Sequence, residues 1–526
     1  MERMNFQIPP KIKHLMKKLL SLIFFSTILF TLVHSQDEIN FEFQSGDCKA
    51  LMKGGGEFDF LGYSDGNFYM VHYNKRYMVG EDYSLKKVYK INRSEEKKLR
   101  MNNPVAFNVV IGGEIYEITS NFDEDEMKGH YYAQTIDKES LALQDDRKQI
   151  LEFDIINEGV RPYNILYDYM FSPDKSIFFI YNINPYDSKH FLLSWSFLDL
   201  EMNILDTYQV DYSTEQDVKI GNNVLWNSIP TTSFNKKPIE FGIPILDIFI
   251  DNEGAVYTTS IENSGGDDES TLLNIVKYGV GPEQVFEIFL DDIRIKKIAS
   301  KVDNEGNIHC FGIYLEDVKN DIDGVFYFKY DAKTKEIIEE TDHVYDPSEP
   351  RKLGYRTTPD YSDVLIKDLM ILDDGRIIFL FEPCDYYWVS GGYTNYYSAN
   401  LGSINIAIKH PDGKINVYEV PKYQNLKFYT SSFITEVVGD DIYFVYNDIN
   451  YGKFTKHKGT YELLVCSKIV KLDKYGNIYE DIIPLPGKGG YFRYLRTVNS
   501  IKMEDGRLAF LGTRRPNVIN YLTITE

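Results

Sequence analysis

Asp251-Asn252-Glu253-Gly254-Ala255-Val256-Tyr257 and Asp303-Asn304-Glu305-Gly306-Asn307-Ile308-His309 are two copies of one pattern. An Asp opens a tight turn, a Gly closes it, and a β-branched residue followed by a ring starts a strand. Shorter forms recur at Ser64-Asp65-Gly66-Asn67-Phe68-Tyr69, Gly112-Gly113-Glu114-Ile115-Tyr116, Pro173-Asp174-Lys175-Ser176-Ile177-Phe178, Asp373-Asp374-Gly375-Arg376-Ile377-Ile378, Gly439-Asp440-Asp441-Ile442-Tyr443 and Asp505-Gly506-Arg507-Leu508-Ala509. Like turns recurring at intervals of roughly 50 to 80 residues predict an array of similar units.

One unit can be read in full between residues 431 and 486. Strands are expected at Phe433 to Val438, Ile442 to Tyr446, Leu463 to Leu472 and Asn477 to Leu485, joined by Gly439-Asp440-Asp441, a longer loop, and Asp473-Lys474-Tyr475-Gly476. Four successive antiparallel strands make one propeller blade. The same reading fits 57–92, 104–155, 163–212, 243–291, 293–346 and 361–421. The carboxyl end supplies three more strands, Arg493 to Met503, Leu508 to Gly512 and Val518 to Thr525, and Glu38 to Phe43 can supply the missing outer one. Pairing the termini closes the ring and removes two exposed sheet edges. The expectation is therefore an all-β chain forming a single propeller domain over 36–526, with eight four-stranded blades rather than seven.

The amino terminus reads as an address. Lys17-Lys18 precede an apolar run from Leu19 to Val33 that ends in Val33-His34-Ser35-Gln36, the pattern of a signal peptide cleaved near Ser35-Gln36. Met16-Lys17-Lys18-Leu19 has the form of a signal-peptide start, so residues 1–15 read as an overextended frame. The run is too short to span a bilayer, and the expectation is an exported, periplasmic or extracellular monomer that does not cross a membrane. The chain carries a net charge of −22, and removing residues 1–35 takes away five basic groups and one acidic group, leaving −26. Such a surface repels phosphate backbones and argues against nucleic-acid binding. Of the four cysteines, Cys48, Cys310, Cys384 and Cys466, the second and fourth lie in apolar strand patterns, where a buried thiol is expected.

The turn Asp-x-x-Gly-[Asn/Ala]-[Ile/Val]-[Tyr/His] at 251–257 and 303–309 resembles the repeats of NHL-type and lactonase-type propellers, and Phe171-Ser172-Pro173-Asp174 resembles the turn of TolB-like propellers. The resemblance covers the repeat grammar of most of the chain and selects no single family. The leader, with the abundance of Tyr, Lys and Asn, resembles exported proteins of Bacteroidota. The lactonase-type resemblance implies a divalent metal held in the central channel by acidic and amide side chains.

Two groups of residues carry the functional expectations. Long connections at 213–242, 347–361, 383–403 and 447–461 all fall at one end of the array, where repeat scaffolds build binding surfaces. In 383–403, Tyr386, Tyr387, Trp388, Tyr393, Tyr396 and Tyr397 offer flat apolar faces with polar handles, suited to a glycan or a protein segment, and Trp226 stands in another long loop. The same rings could instead cover the blade tops. The second group is Asp59, Asp168, Asp247, Asp368 and Asn499, each seven positions before a turn glycine or its equivalent. First strands line the channel, so these groups could converge on Ca²⁺ or another divalent cation, or each could bond a neighbouring blade. His309 stands where other blades carry Tyr, which predicts core packing, and the scattered histidines make no zinc pattern. The favoured reading is a non-catalytic binding scaffold without a cofactor; the alternative is a metal-dependent hydrolase or lyase with a channel carboxylate site.

Overall fold

Strands of this composition cannot leave either face wet, because apolar residues occupy consecutive positions in runs such as Phe178-Phe179-Ile180-Tyr181. The computed structural model describes residues 39–47, 58–72, 74–101, 103–123, 125–155, 166–185, 190–213, 245–263, 271–279, 282–290, 294–315, 322–345, 363–391, 394–422, 424–427, 433–457, 460–483, 495–497, 500–511 and 518–525. The leader, Trp226, Tyr393, Asn499 and Cys48 lie outside them. Eight antiparallel sheets follow one another around a ring, each with its strands in sequence order except the sixth, which carries two additional strands, and the last, which the amino-terminal strand completes. Blade 4, for example, is Ile245–Ile250, Val256–Asn263, Thr271–Tyr278 and Gln284–Leu290.

Each interface between blades has its own apolar core. In the second strand of blade 3, Phe178–Pro185, residues Phe178 and Ile180 pack with blade 2, while Phe179, Tyr181 and Ile183 pack with blade 4. Blade 8 does the same with Ala509 and Leu511 toward blade 1 and Leu508 and Phe510 toward blade 7. Burying a side chain of this size contributes about 1.5 to 3 kcal/mol. Stability therefore accumulates interface by interface.

Closure occurs as expected, with one shift. The amino-terminal strand is Phe41–Asp47, pairing antiparallel with Val518–Ile524 from Phe41↔Ile524 to Asp47↔Val518. It starts and ends later than Glu38 to Phe43 because Ile39 is used as a core side chain between blades 7 and 8. The long strand expected at Arg493 to Met503 is reduced, among the described residues, to Ile501–Lys502 and a bridge residue at Leu495.

The connections 383–403 and 447–461 are corrected from loops to β-hairpins. The second strand of blade 6 runs through Ile377–Gly391 and folds back along Thr394–Leu401, while blade 7 extends as Asp441–His457 and Thr460–Leu472. Residues that favour strands, such as Tyr386, Tyr387, Val389, Ile449 and Phe454, keep the ladders going past the blade. A further strand, Gln424–Lys427, pairs with Thr394–Leu401.

A short helix between blades 1 and 2, Arg93–Leu99, was not expected from the sequence. It is held by a buried quartet. Arg76 reaches Glu96 at 2.7 Å and Glu117 at 3.2 Å, and Arg100 reaches Glu96 at 2.9 Å and also pairs with Glu117. The quartet balances its own charge, which is the condition for keeping ions out of water.

A chain beginning at Cys48 loses seven ladder residues and Ile39, and it exposes Val518–Ile524 as an edge. We expect a markedly lower melting temperature and oligomers on size exclusion. A truncated chain that melts with the parent would show that closure contributes nothing.

Candidate functional site

The recurrent turn is a carboxylate clamp. Asp303 Oδ1 accepts the backbone N–H of Glu305 at 2.9 Å and of Asn307 at 2.8 Å, and Oδ2 accepts Asn307 Nδ2 at 2.9 Å and bonds His309 Nε2 at 3.0 Å. Asp251 repeats it with Glu253, Ala255 and the Tyr257 hydroxyl, and Asp473 with Tyr475, Asn477 and the Tyr479 hydroxyl. The glycine three residues on has φ +84, +87 and +88 at Gly254, Gly306 and Gly476, a region that L side chains avoid. So the Asp, the Gly and the ring six positions after the Asp form one hydrogen-bonded unit.

Blade 5 adds a link. His309 is buried, and its Nδ1 lies 2.9 Å from the Tyr327 hydroxyl. Burial lowers its pKa against the pull of Asp303, so the ring is neutral near pH 7. Nε2–H then donates to Asp303 and Nδ1 accepts from Tyr327. Burial alone would raise the Asp303 pKa, but bonds from Asn307 and His309 and the Lys329 ammonium at 3.0 Å hold it well below the usual carboxyl range. The Asp303–His309–Tyr327 chain has the form of a proton relay. Yet the same clamp with Tyr257 in blade 4 shows that the position serves the turn, and His309 is buried, as expected of a core-packing ring.

The channel carboxylates do not gather. Asp168, Asp247 and Asp368 share one register, three residues before the last ladder pair of their hairpins, opposite Tyr181, Thr259 and Leu380. Asp59 is out of this register: it stands five residues before its last pair and beyond a bulge, opposite Val71. Counting back from the glycine conceals both the bulge and the shorter turn. Each group also has a different partner. Asp247 accepts the Ser300 N–H of blade 5 at 2.6 Å, Asp368 faces Lys301 of blade 5 at 3.3 Å, and Asp59 pairs with Arg496 of blade 8 at 3.0 Å. Asp168 accepts the Tyr169 N–H at 2.8 Å and bonds Tyr181 within its own blade. Burial pushes Asp168 and Asp247 up to about 7, despite these bonds. Among the described residues no three acidic, His or Cys side chains converge as a cation site.

Two places among the described residues offer surface or room for a ligand. One is the end of the ring carrying the hairpins of blades 6 and 7, where Trp388 pairs with Tyr397, Val389 with Tyr396, Tyr386 with Ala399 and Tyr387 with Ser398. The base of these hairpins is fixed by a buried ion pair between Lys422 and Glu382, and by Lys422 Nζ on Gln424 Oε1 at 3.0 Å. Asn447 Nδ2 reaches the Leu495 carbonyl at 2.8 Å, tying blade 7 to blade 8. The other place is a cavity of about 930 Å³ in the channel, lined by the first strands of blades 4, 5 and 6 and by turn residues Pro173, Asn304, Glu305 and Asp373. It lies toward the short turns, away from the hairpins. Its lysines, Lys301, Lys329, Lys367 and Lys409, belong to no motif and were missed in the sequence, although Lys367-Asp368 visibly interrupts the apolar run from Val364 to Ile371. The three described cysteines outside Cys48 are unbridged, and burial pushes the Cys310 thiol up to about 12.

No known protein family matches the chain, and no curated protein matches it. Solved structures do. The WD40 domain of SCAP from fission yeast is 9% identical, with a TM-score of 0.39 over 92% of this chain and 98% of that one. The N-terminal domain of Nup159 is 10% identical, with a TM-score of 0.35 over 93% and 97%, and the polysaccharide lyase Uly1 is 12% identical, with a TM-score of 0.34 over 80% and 90%. Likeness at this level carries no functional argument.

The buried Asp168 carboxyl gives a pH test. Unfolded, it releases its proton near pH 4; folded, near about 7. Between these values the folded state holds a proton that the unfolded state has lost, so stability falls as pH rises. Asp168→Asn should remove part of that fall, about 1 to 3 kcal/mol between pH 4 and pH 7, read from melting temperatures. Parallel curves for parent and variant would mean that Asp168 stays ionised, as under a bound cation, and metal analysis of both proteins would then identify it.

Gly306→Ala isolates the turn. Nothing lies within 4 Å of the added methyl, so only the φ of +87 opposes it. The expected loss is about 1 to 2 kcal/mol in denaturant unfolding; no loss would mean that the turn relaxes freely.

Proposed function

We propose that this chain is a non-catalytic binding scaffold whose ligand face is the end of the ring bearing the paired hairpins of blades 6 and 7. One observation carries the reading. The second strands of these two adjacent blades run past their first-strand partners by seven residues after Cys384 and eleven after Tyr446, some 20 to 35 Å at the usual rise. Neither extension is needed to complete a blade. A propeller whose ring already buries its sheets gains nothing in closure from such projections, and surface built beyond the core is where repeat scaffolds place recognition.

The backbone of 383–403 supports this better than a loop would. Paired strands present Tyr386, Tyr387, Trp388, Tyr396 and Tyr397 in a fixed register, so little ordering entropy is lost on binding. The buried Lys422–Glu382 pair below them makes the base rigid. A protein segment or a glycan is the fitting ligand class, since aromatic side chains with hydroxyls serve both. An exported location places such a surface among extracellular or periplasmic polymers.

The experiment is a glycan and peptide array probed with the protein and with a Tyr386→Ala, Tyr387→Ala, Trp388→Ala variant. We expect ligands of the parent to be lost or weakened by about 2 kcal/mol or more at an unchanged melting temperature. A variant that melts lower while keeping every ligand would assign these rings to covering the blade.

A further inference from the structure

The hairpin of blade 7 reverses the charge of the chain that carries it. The protein has a net charge of −22, yet residues 449–465, from the Ile449↔Val465 pair to the tip, hold Lys453, Lys456 and Lys458 against one acidic residue, Glu462. Strand alternation gives these residues a side. Ile469 packs in the core between blades 7 and 8, and Leu463 and Tyr461, an even number of residues before it on the same strand, share its face. Phe454 stands opposite Leu463 and Lys456 opposite Tyr461, so both belong to that face, and Lys453 precedes them in a bulge where the register slips between Asn450 and Phe454. Thr455 and Glu462 pair on the other face. The blade 8 side of the projection therefore combines rings and cations, and its one carboxylate lies on the side of blade 6.

The connections into and within blade 8 have the same sign. Ile478–Ile482 leads to Leu495, and Leu508–Leu511 leads to Val518–Ile524, both at the end of the ring that bears the hairpins. By sequence the first connection carries Lys488 and Arg493, the second Arg514 and Arg515, and neither has an acidic residue; these four lie outside the described residues. We propose that the blade 8 side of this hairpin binds an acidic polysaccharide, with Lys453 and Lys456 taking carboxylate or sulfate groups and Phe454 and Tyr461 giving apolar faces to the sugar rings. The proposal rests on the hairpin end being the ligand face and narrows the ligand to one class. A uronate or sulfated sugar brings one apolar ring face with each negative charge, which is the pairing this face offers. An acidic peptide brings the charge without the ring, and the dense charge of a nucleic acid is opposed by the rest of the chain.

The probes are polygalacturonate and chondroitin sulfate, with neutral galactan, polyglutamate and single-stranded DNA as comparisons. Each is titrated by calorimetry into the full protein and into a Lys453→Gln, Lys456→Gln variant. We expect at least one acidic glycan to bind about tenfold or more tightly than all three comparisons and to weaken as salt rises. The double variant should lose about tenfold in that affinity at an unchanged melting temperature. If the lysines serve only to keep the hairpin from pairing with another chain, the variant self-associates on size exclusion and binds as the parent does; that result overturns the proposal. So does a parent that binds no acidic glycan, or binds galactan, polyglutamate or DNA equally well. The Tyr386→Ala, Tyr387→Ala, Trp388→Ala variant separates this proposal from the reading beneath it. Neutral ligands lost in that variant alone keep the hairpin end as the ligand face and remove only the acidic class, whereas binding that ignores both variants removes the face as well.

Discussion

Two-sided burial is the constraint on which everything else here depends. Each blade is a sheet whose inner strands present apolar side chains up and down in strict alternation, as Phe178 and Ile180 do against Phe179 and Tyr181. A sheet of this kind needs a neighbour on both faces, and only a closed ring gives every blade two. Joining the ends of the chain through Phe41–Asp47 and Val518–Ile524 follows from that need. Blade 8 is then covered by blade 1 on one side and blade 7 on the other, with polar ties such as Arg496 to Asp59 and Asn447 to Leu495 added to the apolar cores.

What was legible in the sequence is what local chemistry decides. The Asp-x-x-Gly turn could be read because each of its atoms has work within seven residues: two backbone N–H groups, one ring and one positive φ, all satisfied at Asp303 to His309. Eight turns rich in Asp and Gly, two of them of this full form, located eight blades. What was not legible depends on partners far away. The helix Arg93–Leu99 has no side-chain cap and is too short to stand alone; its reason is Arg76 in one blade and Glu117 in the next. The displaced register of Asp59 hides in a bulge that no residue count can see. The hairpins of blades 6 and 7 looked like loops because their strands, of fifteen and seventeen residues, are far longer than the usual five or six.

The quartet of Arg76, Arg100, Glu96 and Glu117 is neutral as a set, and its geometry gives each guanidinium two carboxylates. Such a cluster fixes the seating of the helix and leaves nothing for a ligand. The Asp247 and Asp368 carboxylates likewise serve neighbouring blades, through Ser300 and Lys301. Asp168 instead bonds within its own blade, so one strand position serves ties between blades in some repeats and a tie within the blade in another.

The two ends of the ring thus differ in kind. At the short-turn end, Gly254, Gly306 and Gly375 hold tight reversals close to the backbone limit, and the surface is set by the repeat itself. At the other end the chain is free of that constraint, since connections there do not have to turn within three residues. Extra length can accumulate without disturbing a blade, provided its backbone polar groups are satisfied. The hairpins of blades 6 and 7 meet this condition by pairing with themselves, and that of blade 6 also by pairing with Gln424–Lys427. Their base is anchored where the Lys422–Glu382 pair and the Asn447 bond to Leu495 lock blades 6, 7 and 8 together. Elaboration is therefore concentrated where the ring can carry it.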